Sequence, residues 1–249
     1  WSSRVEPDWI VGELAEWGEV IVNACEPGWW EVVMDEAVPY LVRKGFRGLF
    51  LDNLDVAEEF PWMSEGLVGL VRTIRSMWSD LFLIQNRGFA ILNETAPSLD
   101  AVLYEDFGTY YNFTTGEYEK MSGPELAELR RTADWLVDLR ASYGFTVLAL
   151  AYADPSDPEM MADYMSFMNS LAGEYGFVPY VSDVNLTYVN MAYAKVEESP
   201  RPSWRPIFLL LLPLAALAPA LFWIACRRSK GLGRLTSGLP PSGRAVLDG

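Results

Sequence analysis

Short apolar runs, rich in β-branched and aromatic residues, alternate with longer segments of helical periodicity over residues 1–190. This alternation is typical of an α/β protein with a parallel sheet. The runs predict six strands, at residues 20–23, 48–51, 81–85, 101–104, 146–151 and 177–181. The segments between them predict helices at residues 31–44, 64–78, 122–143 and 157–175.

Polar side chains directly follow every predicted strand. In chain order they are Asn23 and Glu26, Asp52 and Asp55, Asn86 and Arg87, Glu105 and Asp106, Tyr152 and Asp154, and Ser182 and Asp183. In a parallel barrel or a doubly wound sheet, these positions meet at the carboxyl ends of the strands, where active sites are built. Each residue alone is equally well explained as a turn residue or a helix cap. Six in succession indicate a site.

Both a (β/α)8 barrel and a doubly wound sheet fit this alternation. The absence of a Gly-rich turn after the first strand disfavours a nucleotide-binding sheet. A barrel needs about 250 residues, whereas about 205 residues precede the apolar segment near the end of the chain. The sequence begins with Trp1 and shows neither an initiator Met nor a secretion signal. We therefore expect an α/β, TIM-barrel-like domain over residues 1–195 that lacks its first two strand–helix units.

The segment 206–226 reads PIFLLLLPLAALAPALFWIAC and contains no charged residue. As a helix it would be about 30 Å long, enough to cross the hydrocarbon core of a bilayer. The basic residues Arg227, Arg228 and Lys230 follow it, and the positive-inside rule places them in the cytoplasm. The sequence thus predicts a Pro-rich stalk at 196–205, a single transmembrane helix at 206–226, a cytoplasmic tail at 227–249 and an extracellular domain. A buried core helix is the alternative, but nothing that follows the segment would cover it.

Charge is unevenly distributed along the 249 residues, which carry 34 acidic and 19 basic side chains and a net charge of −15. Setting aside the tail, with its five basic residues and Asp248, leaves 33 acidic and 14 basic residues, or about −19, in the predicted extracellular part. Nucleic acid is disfavoured as a partner because phosphate binding needs clustered Lys and Arg. A cationic or neutral ligand fits better, although a merely soluble or salt-adapted surface has the same composition.

The chain contains no histidine. Ser-His-Asp triads, Cys-His dyads and His-based zinc sites are therefore excluded, and acid–base chemistry falls to carboxylates, Tyr or Lys. We predict neither a metal nor a cofactor, and a metal-dependent deacetylase is disfavoured. Cys25 and Cys226 are too few for a disulfide framework and are predicted to be free thiols. Aromatic residues make up 14% of the chain, which suits either stacking on sugar rings or core packing.

Two carboxylates stand out as a candidate catalytic pair. Glycoside cleavage needs two carboxyl groups across the scissile bond and no histidine. Asp52 and Glu105 follow strands two units apart, so in a barrel both would point into the same mouth. Asp55 and Asp106 are the alternatives. A backbone cap at Asp52 and simple loop exposure of Glu105 remain open as explanations without chemistry.

These same residues carry a resemblance to a known family. Residues 44–55, KGFRGLFLDNLD, together with QNRGF at 85–89 and YEDF at 104–107, resemble the endo-α-1,4-polygalactosaminidase-type glycoside hydrolases, glycoside hydrolase family 114. The region from Trp17 to Trp29 is similar to the segment ahead of that family's fourth strand. The resemblance covers about residues 9–185. Arg47 stands where the family usually has an acidic residue.

The resemblance implies a (β/α)8 barrel in an exported protein that acts on galactosamine-containing polysaccharide. It also implies that Asp52 and Glu105 are the carboxylate pair and that Asn86 and Arg87 line the sugar site. Because the family's first two strands contribute to the barrel mouth, this sequence by itself is a candidate for an inactive fragment.

The leading hypothesis is a membrane-anchored extracellular glycosidase that cleaves an amino-sugar polymer, with Glu105 as general acid and Asp52 as nucleophile or base. The alternative is a catalytically silent polysaccharide-binding protein of the cell surface on the same barrel. The predicted substrate-binding residues are Asn23, Asp55, Asn86, Arg87, Tyr104, Tyr152, Asp154 and Tyr180.

Overall fold

A computed structural model of the protein describes residues 2–14 and 18–193. The predicted stalk, transmembrane helix and cytoplasmic tail lie outside these residues and stay predictions. Among the helices within the described ranges, none combines the length and the apolar character that crossing a bilayer requires.

The described ranges contain nine strands and seven α-helices. The strands are β1 (Ile10–Leu14), β2 (Glu19–Val22), β3 (Gly48–Leu51), β4 (Phe82–Asn86), β5 (Ala101–Tyr104), β6 (Thr109–Asn112), β7 (Glu117–Lys120), β8 (Thr146–Tyr152) and β9 (Val178–Ser182). The helices are α1 (Pro27–Glu31), α2 (Val38–Arg43), α3 (Val56–Glu59), α4 (Ser64–Met77), α5 (Phe89–Thr95), α6 (Gly123–Tyr143) and α7 (Pro158–Tyr175). A π-helical stretch, Val32–Ala37, joins α1 to α2.

The central sheet has five parallel strands in the order β3-β4-β5-β8-β9. Each strand pairs with the next parallel strand along the chain, so the order never reverses. A doubly wound sheet reverses its strand order at a switch point. The sequential order therefore matches a TIM-barrel-like sheet, which settles the alternative that the sequence left open.

Five of the six predicted strands are confirmed in this sheet, with ends that differ from the prediction by one residue at most. The sixth prediction, at residues 20–23, is correct in predicting a strand but wrong in placing it in the parallel sheet. Its strand, β2, pairs antiparallel with β1 in a separate two-stranded sheet. Only four residues separate β1 from β2, which is enough for a hairpin but far too few for the crossover that a parallel pair needs. The apolar run predicts that a strand forms at this segment, but it does not indicate which strand it pairs with.

The two faces of the central sheet have different surroundings. Leu83, Val102 and Val181, on the face covered by helices, are fully buried in the core. On the opposite face, Phe50 and Phe82 remain about half exposed. A (β/α)8 barrel turns this second face towards its interior. We call it the inward face, and the candidate site lies at its carboxyl end.

Candidate active site

Asp52, Asn86 and Glu105 project from neighbouring strands on the inward face. In the strand register Phe50 lies beside Ile84, and Asn86 lies beside Leu103. Because side chains alternate between the two faces along a strand, positions two residues apart share a face. Asp52 and Glu105, which follow Phe50 and Leu103 by two residues, therefore come to the same edge as Asn86.

Each of these three residues is followed by a residue with left-handed backbone geometry. The φ angles are 58° at Asn53, 44° at Arg87 and 58° at Asp106. Such angles are uncommon outside glycine, and each costs of order 1 kcal/mol or more, which the surrounding fold has to offset. The sharp turns direct the chain out of the sheet at once, so the side chains of Asp52, Asn86 and Glu105 stay at the ends of the strands.

The Asn86 amide bridges the two predicted catalytic carboxylates. Its Nδ2 donates one hydrogen bond to Asp52 Oδ1 at 2.9 Å and another to Glu105 Oε2 at 2.8 Å. The two hydrogens of a planar amide diverge by roughly 120°, so the two accepting oxygens lie about 5 Å apart. Among the described residues, the buried Asn86 Oδ1 has no hydrogen-bond partner. A flipped amide would instead point this oxygen at two carboxylates, so repulsion fixes the observed orientation.

Tyr152 holds the second oxygen of Glu105. Its hydroxyl, at the end of β8, donates a short hydrogen bond to Glu105 Oε1. Burial, together with the Glu105 carboxylate that accepts this bond, raises the pKa of Tyr152 far above its usual range. The phenol therefore stays protonated and remains a donor. Both oxygens of Glu105 are thus held, one by Tyr152 and one by Asn86.

A second carboxylate lies next to Glu105 in the sequence. Burial, and then repulsion by Glu105, raises the pKa of Asp106 to about 6. Arg87 opposes this shift, since its Nη1 lies 3.5 Å from Asp106 Oδ2. Asp106 therefore changes its charge near pH 6, within the cleft and beside the catalytic candidates.

This raised pKa predicts a specific pH dependence of stability. Because the folded state holds the Asp106 proton up to about pH 6 while the unfolded chain releases it near 3.8, ionisation costs the folded state stability as the pH rises between these values. Asp106→Asn removes this cost. We therefore expect the free energy of unfolding of the variant, relative to that of the wild type, to increase from pH 4 to pH 6. Above about pH 7 the difference between the two should be constant. Urea unfolding at half-unit pH intervals measures the difference.

A matched control for this comparison is Asp80→Asn. Asp80 is exposed and precedes β4 at the amino end of the sheet, remote from the cleft. Its variant should follow the wild type at every pH. A constant offset between the Asp106→Asn and wild-type curves across the whole pH range would contradict the raised pKa.

An open cleft of about 540 Å³ surrounds the bridged carboxylates. Of the described residues that line it, five are acidic and one is basic. The acidic ones are Glu19, Asp52, Asp55, Glu105 and Asp106, and the basic one is Arg87. The cleft therefore carries a strongly negative potential, which low-dielectric walls concentrate at its floor.

The structure brings six of the predicted site residues to this cleft and places four elsewhere. The six are Asp52, Asp55, Asn86, Arg87, Glu105 and Tyr152. Tyr104 lies on the helix-covered face, where its ring packs edge-on against Phe89 and Phe107. Tyr180 is on the inward face of β9, two residues before the carboxyl end of the strand, and it lines a separate cavity. Its hydroxyl accepts a hydrogen bond from the backbone N–H of Asn190 at 2.9 Å.

The other two act as turn residues. Asn23 Oδ1 accepts a hydrogen bond from the backbone N–H of Cys25 at 2.9 Å, in the turn that follows β2. Asp154 Oδ1 accepts from both the backbone N–H and the hydroxyl of Ser156, ahead of α7. Neither belongs to the lining of the cleft.

Several lining residues were not predicted from the sequence. Glu19 comes from β2, Phe113 comes from the β6–β7 hairpin, and Leu186 comes from the loop after β9. None of them directly follows a strand of the central sheet. The aromatic run YYNF at 110–113, close behind Glu105, was the one local signal available.

Both the sequence and the fold are similar to those of known proteins. Residues 2–198 match glycoside-hydrolase family GH114. The glycoside hydrolase domain of PelA from Pseudomonas aeruginosa has a similar fold, with a TM-score of 0.60 and 22% identity over 76% of this chain and 71% of that chain. A single-residue variant of that domain gives a TM-score of 0.57 and 24% identity over 72% and 69%. No curated protein matches this chain.

Proposed function

Since the chain belongs to glycoside-hydrolase family GH114, we propose that it cleaves an α-1,4-linked galactosamine polysaccharide or a related amino-sugar polymer. One observation carries the proposal. The amide of Asn86 holds an oxygen of Asp52 and an oxygen of Glu105 about 5 Å apart at the floor of an open cleft. Two carboxyl groups at this distance, on strand ends of a TIM-barrel-like sheet, are what glycoside hydrolysis requires.

The separation favours a double displacement, because retaining enzymes hold their carboxyl groups about 5–5.5 Å apart and inverting enzymes leave room for a water between them. Asp52 attacks the anomeric carbon while the glycosidic C–O bond breaks and Glu105 gives its proton to the leaving oxygen. Glu105 then takes a proton from water, which attacks the anomeric carbon and releases Asp52. Asp52 suits the nucleophile because it is exposed and its Oδ1 accepts from both Asn86 Nδ2 and the backbone N–H of Asn53.

The charge of the cleft supports an amino-sugar substrate. Five carboxylates against one guanidinium attract a polymer that carries ammonium groups and repel polyanions. In the deacetylated polymer each ammonium group adds to this attraction. The attraction is screened as salt shortens the Debye length.

We also propose that residues 206–226 anchor the catalytic domain to the outer face of the cell membrane. The support is the uncharged stretch of 21 residues and the basic residues that follow it. An enzyme held in this way would meet polysaccharide at the surface of its own cell.

A single experiment on washed cells that express the full chain tests the function and the anchoring. We expect release of reducing ends from added α-1,4-galactosamine polymer, with the anomeric configuration of the new ends retained in a proton NMR time course. The activity should stay with the cells and not pass into the wash. The rate should exceed that on the N-acetylated polymer, and this advantage should shrink as salt rises from about 0.05 to 0.5 M.

The alternatives give different results in the same experiment. Inversion of the new ends would contradict the proposed separation of the carboxylates. Saturable binding without hydrolysis would favour the binding protein. Equal rates on both polymers at low salt would remove the ammonium preference, and activity in the wash would remove the anchor.

A further inference from the structure

The β6–β7 hairpin places an exposed aromatic ring at the edge of the cleft. Phe113, at the tip of the hairpin, is 58% exposed and lines the cleft together with Tyr111. Its ring stands edge-on to Tyr111, with the centroids 5.1 Å apart, and Tyr111 in turn contacts Tyr118 at 4.9 Å. Three rings thus form one continuous cluster, and Phe113 brings this cluster to the cleft.

The tip of the hairpin is held rigidly by polar contacts. The Glu119 carboxylate accepts hydrogen bonds from Asn112 Nδ2 at 2.8 Å, from the Tyr110 hydroxyl at 2.9 Å and from the Thr115 hydroxyl at 3.1 Å. These bonds, that from Asn112 first, hold the pKa of Glu119 below its usual range. Asn112 Oδ1 also accepts from the backbone N–H of Thr114 at 2.9 Å. The position of Phe113 is therefore set before any ligand binds, which reduces the entropy cost of binding.

The base of the hairpin is tied to the catalytic strands. Thr109 is fully buried, and its hydroxyl donates a hydrogen bond to the backbone carbonyl of Tyr152 at 2.8 Å. Tyr152 in turn holds Glu105 through its hydroxyl. One chain of contacts therefore fixes the aromatic cluster relative to the candidate general acid.

We infer that Phe113, backed by Tyr111, forms a stacking subsite for a hexosamine ring of the polymer, next to the ring whose bond is cleaved. This inference rests on the proposed function. The apolar C–H face of a pyranose packs on an aromatic ring, and an ammonium substituent is attracted to the face of the ring within about 6 Å. The ammonium groups of the polymer also need anionic partners, and the carboxylates of the same cleft supply them.

Phe113→Ala tests this subsite in the full chain. We expect about a 10-fold increase in KM for the galactosamine polymer, with kcat changed less than about 3-fold, because stacking contributes to binding more than to the reaction. In the Glu105→Gln background, fluorescence titration with a galactosamine oligomer should show the same loss of affinity. Phe113→Trp should restore both values, since the indole offers a larger face.

Phe46→Ala is the matched control. Phe46 is 57% exposed, as Phe113 is, but it precedes β3 at the amino end of the sheet. Its variant should bind and cleave the polymer as the wild type does. If the wild type hydrolyses the polymer and Phe113→Ala leaves KM unchanged, the subsite is wrong and the proposed function stands. If the wild type neither binds nor cleaves the polymer, the function fails and the subsite with it.

Discussion

Replacing Glu105 with Gln is expected to lower kcat for polymer hydrolysis by about 10³-fold, with KM changed only a few-fold. Gln has the same shape and still accepts one of the two hydrogen bonds that Tyr152 and Asn86 make to the carboxylate. It cannot give up a proton to the leaving oxygen. The loss should therefore appear in the chemical step, and the fold should persist, as circular dichroism and a urea unfolding curve would show.

Asp52 is expected to be equally important but to respond differently to an added nucleophile. In Asp52→Ala, azide can enter the space left by the carboxylate and attack the anomeric carbon directly, giving a glycosyl azide of inverted configuration. In Glu105→Ala, azide attacks the covalent intermediate instead and gives the retained product. An activated aryl glycoside of galactosamine, assayed with and without azide, tells the two roles apart by NMR.

Two controls match Glu105→Gln and Asp52→Asn in the charge removed and in side-chain size. Glu31→Gln and Asp80→Asn alter exposed carboxylates on α1 and ahead of β4, outside the cleft. Both should retain wild-type kinetics. Full activity of Glu105→Gln and Asp52→Asn would show that the pair is misassigned and would direct attention to Asp55 and Asp106.

The sequence was sufficient for the central sheet and for much of the cleft, because both depend on local patterns. Short apolar runs of four to seven residues predict strands, and the end of each run locates the polar residue that follows the strand. The incorrect prediction that Tyr104 lines the site could also have been avoided from the local sequence. Tyr104 is the last residue of β5 and Glu105 directly follows it, so the alternation of faces already places Tyr104 away from the cleft.

The remaining parts of the cleft depend on contacts between distant segments. The Asn53 amide donates to Glu19 Oε2 at 3.4 Å across 34 positions of sequence, and it does so only because β2 pairs with β1 in a hairpin. Phe113 reaches the cleft only because β6 and β7 fold back over the strand ends. No periodicity within either segment reports on such a partner.

Asn86 is a single residue whose contacts with distant segments the sequence could not predict. The resemblance implied that it lines a sugar site, and the structure places it in the lining of the cleft. The structure adds that its amide bridges Asp52 and Glu105. A residue that contacts both catalytic candidates sets their separation and screens their repulsion, so its replacement should have consequences that a simple lining residue would not produce.

Asn86→Asp is expected to reduce kcat/KM at neutral pH by about 10²-fold or more. The substitution puts a carboxylate oxygen where Nδ2 lies now, within 3 Å of an oxygen of Asp52 and an oxygen of Glu105. Three carboxylates so close cannot all be ionised, so the cluster holds a proton to higher pH than the wild-type pair does. The acidic limb of the kcat/KM profile, measured from pH 4 to 8, should move to higher pH.

The sign of the stability change follows from the same raised pKa. The unfolded chain ionises all three carboxyl groups near their ordinary values, whereas the folded variant resists ionisation, so its free energy of unfolding should fall relative to the wild type as the pH rises above about 4. Asn86→Ala separates charge from the loss of the bridge, since it removes both hydrogen bonds and adds no carboxylate. Its stability deficit should depend little on pH. If the Asp and Ala variants have the same pH profiles of activity and of stability, Asn86 does not lie between two ionisable carboxylates.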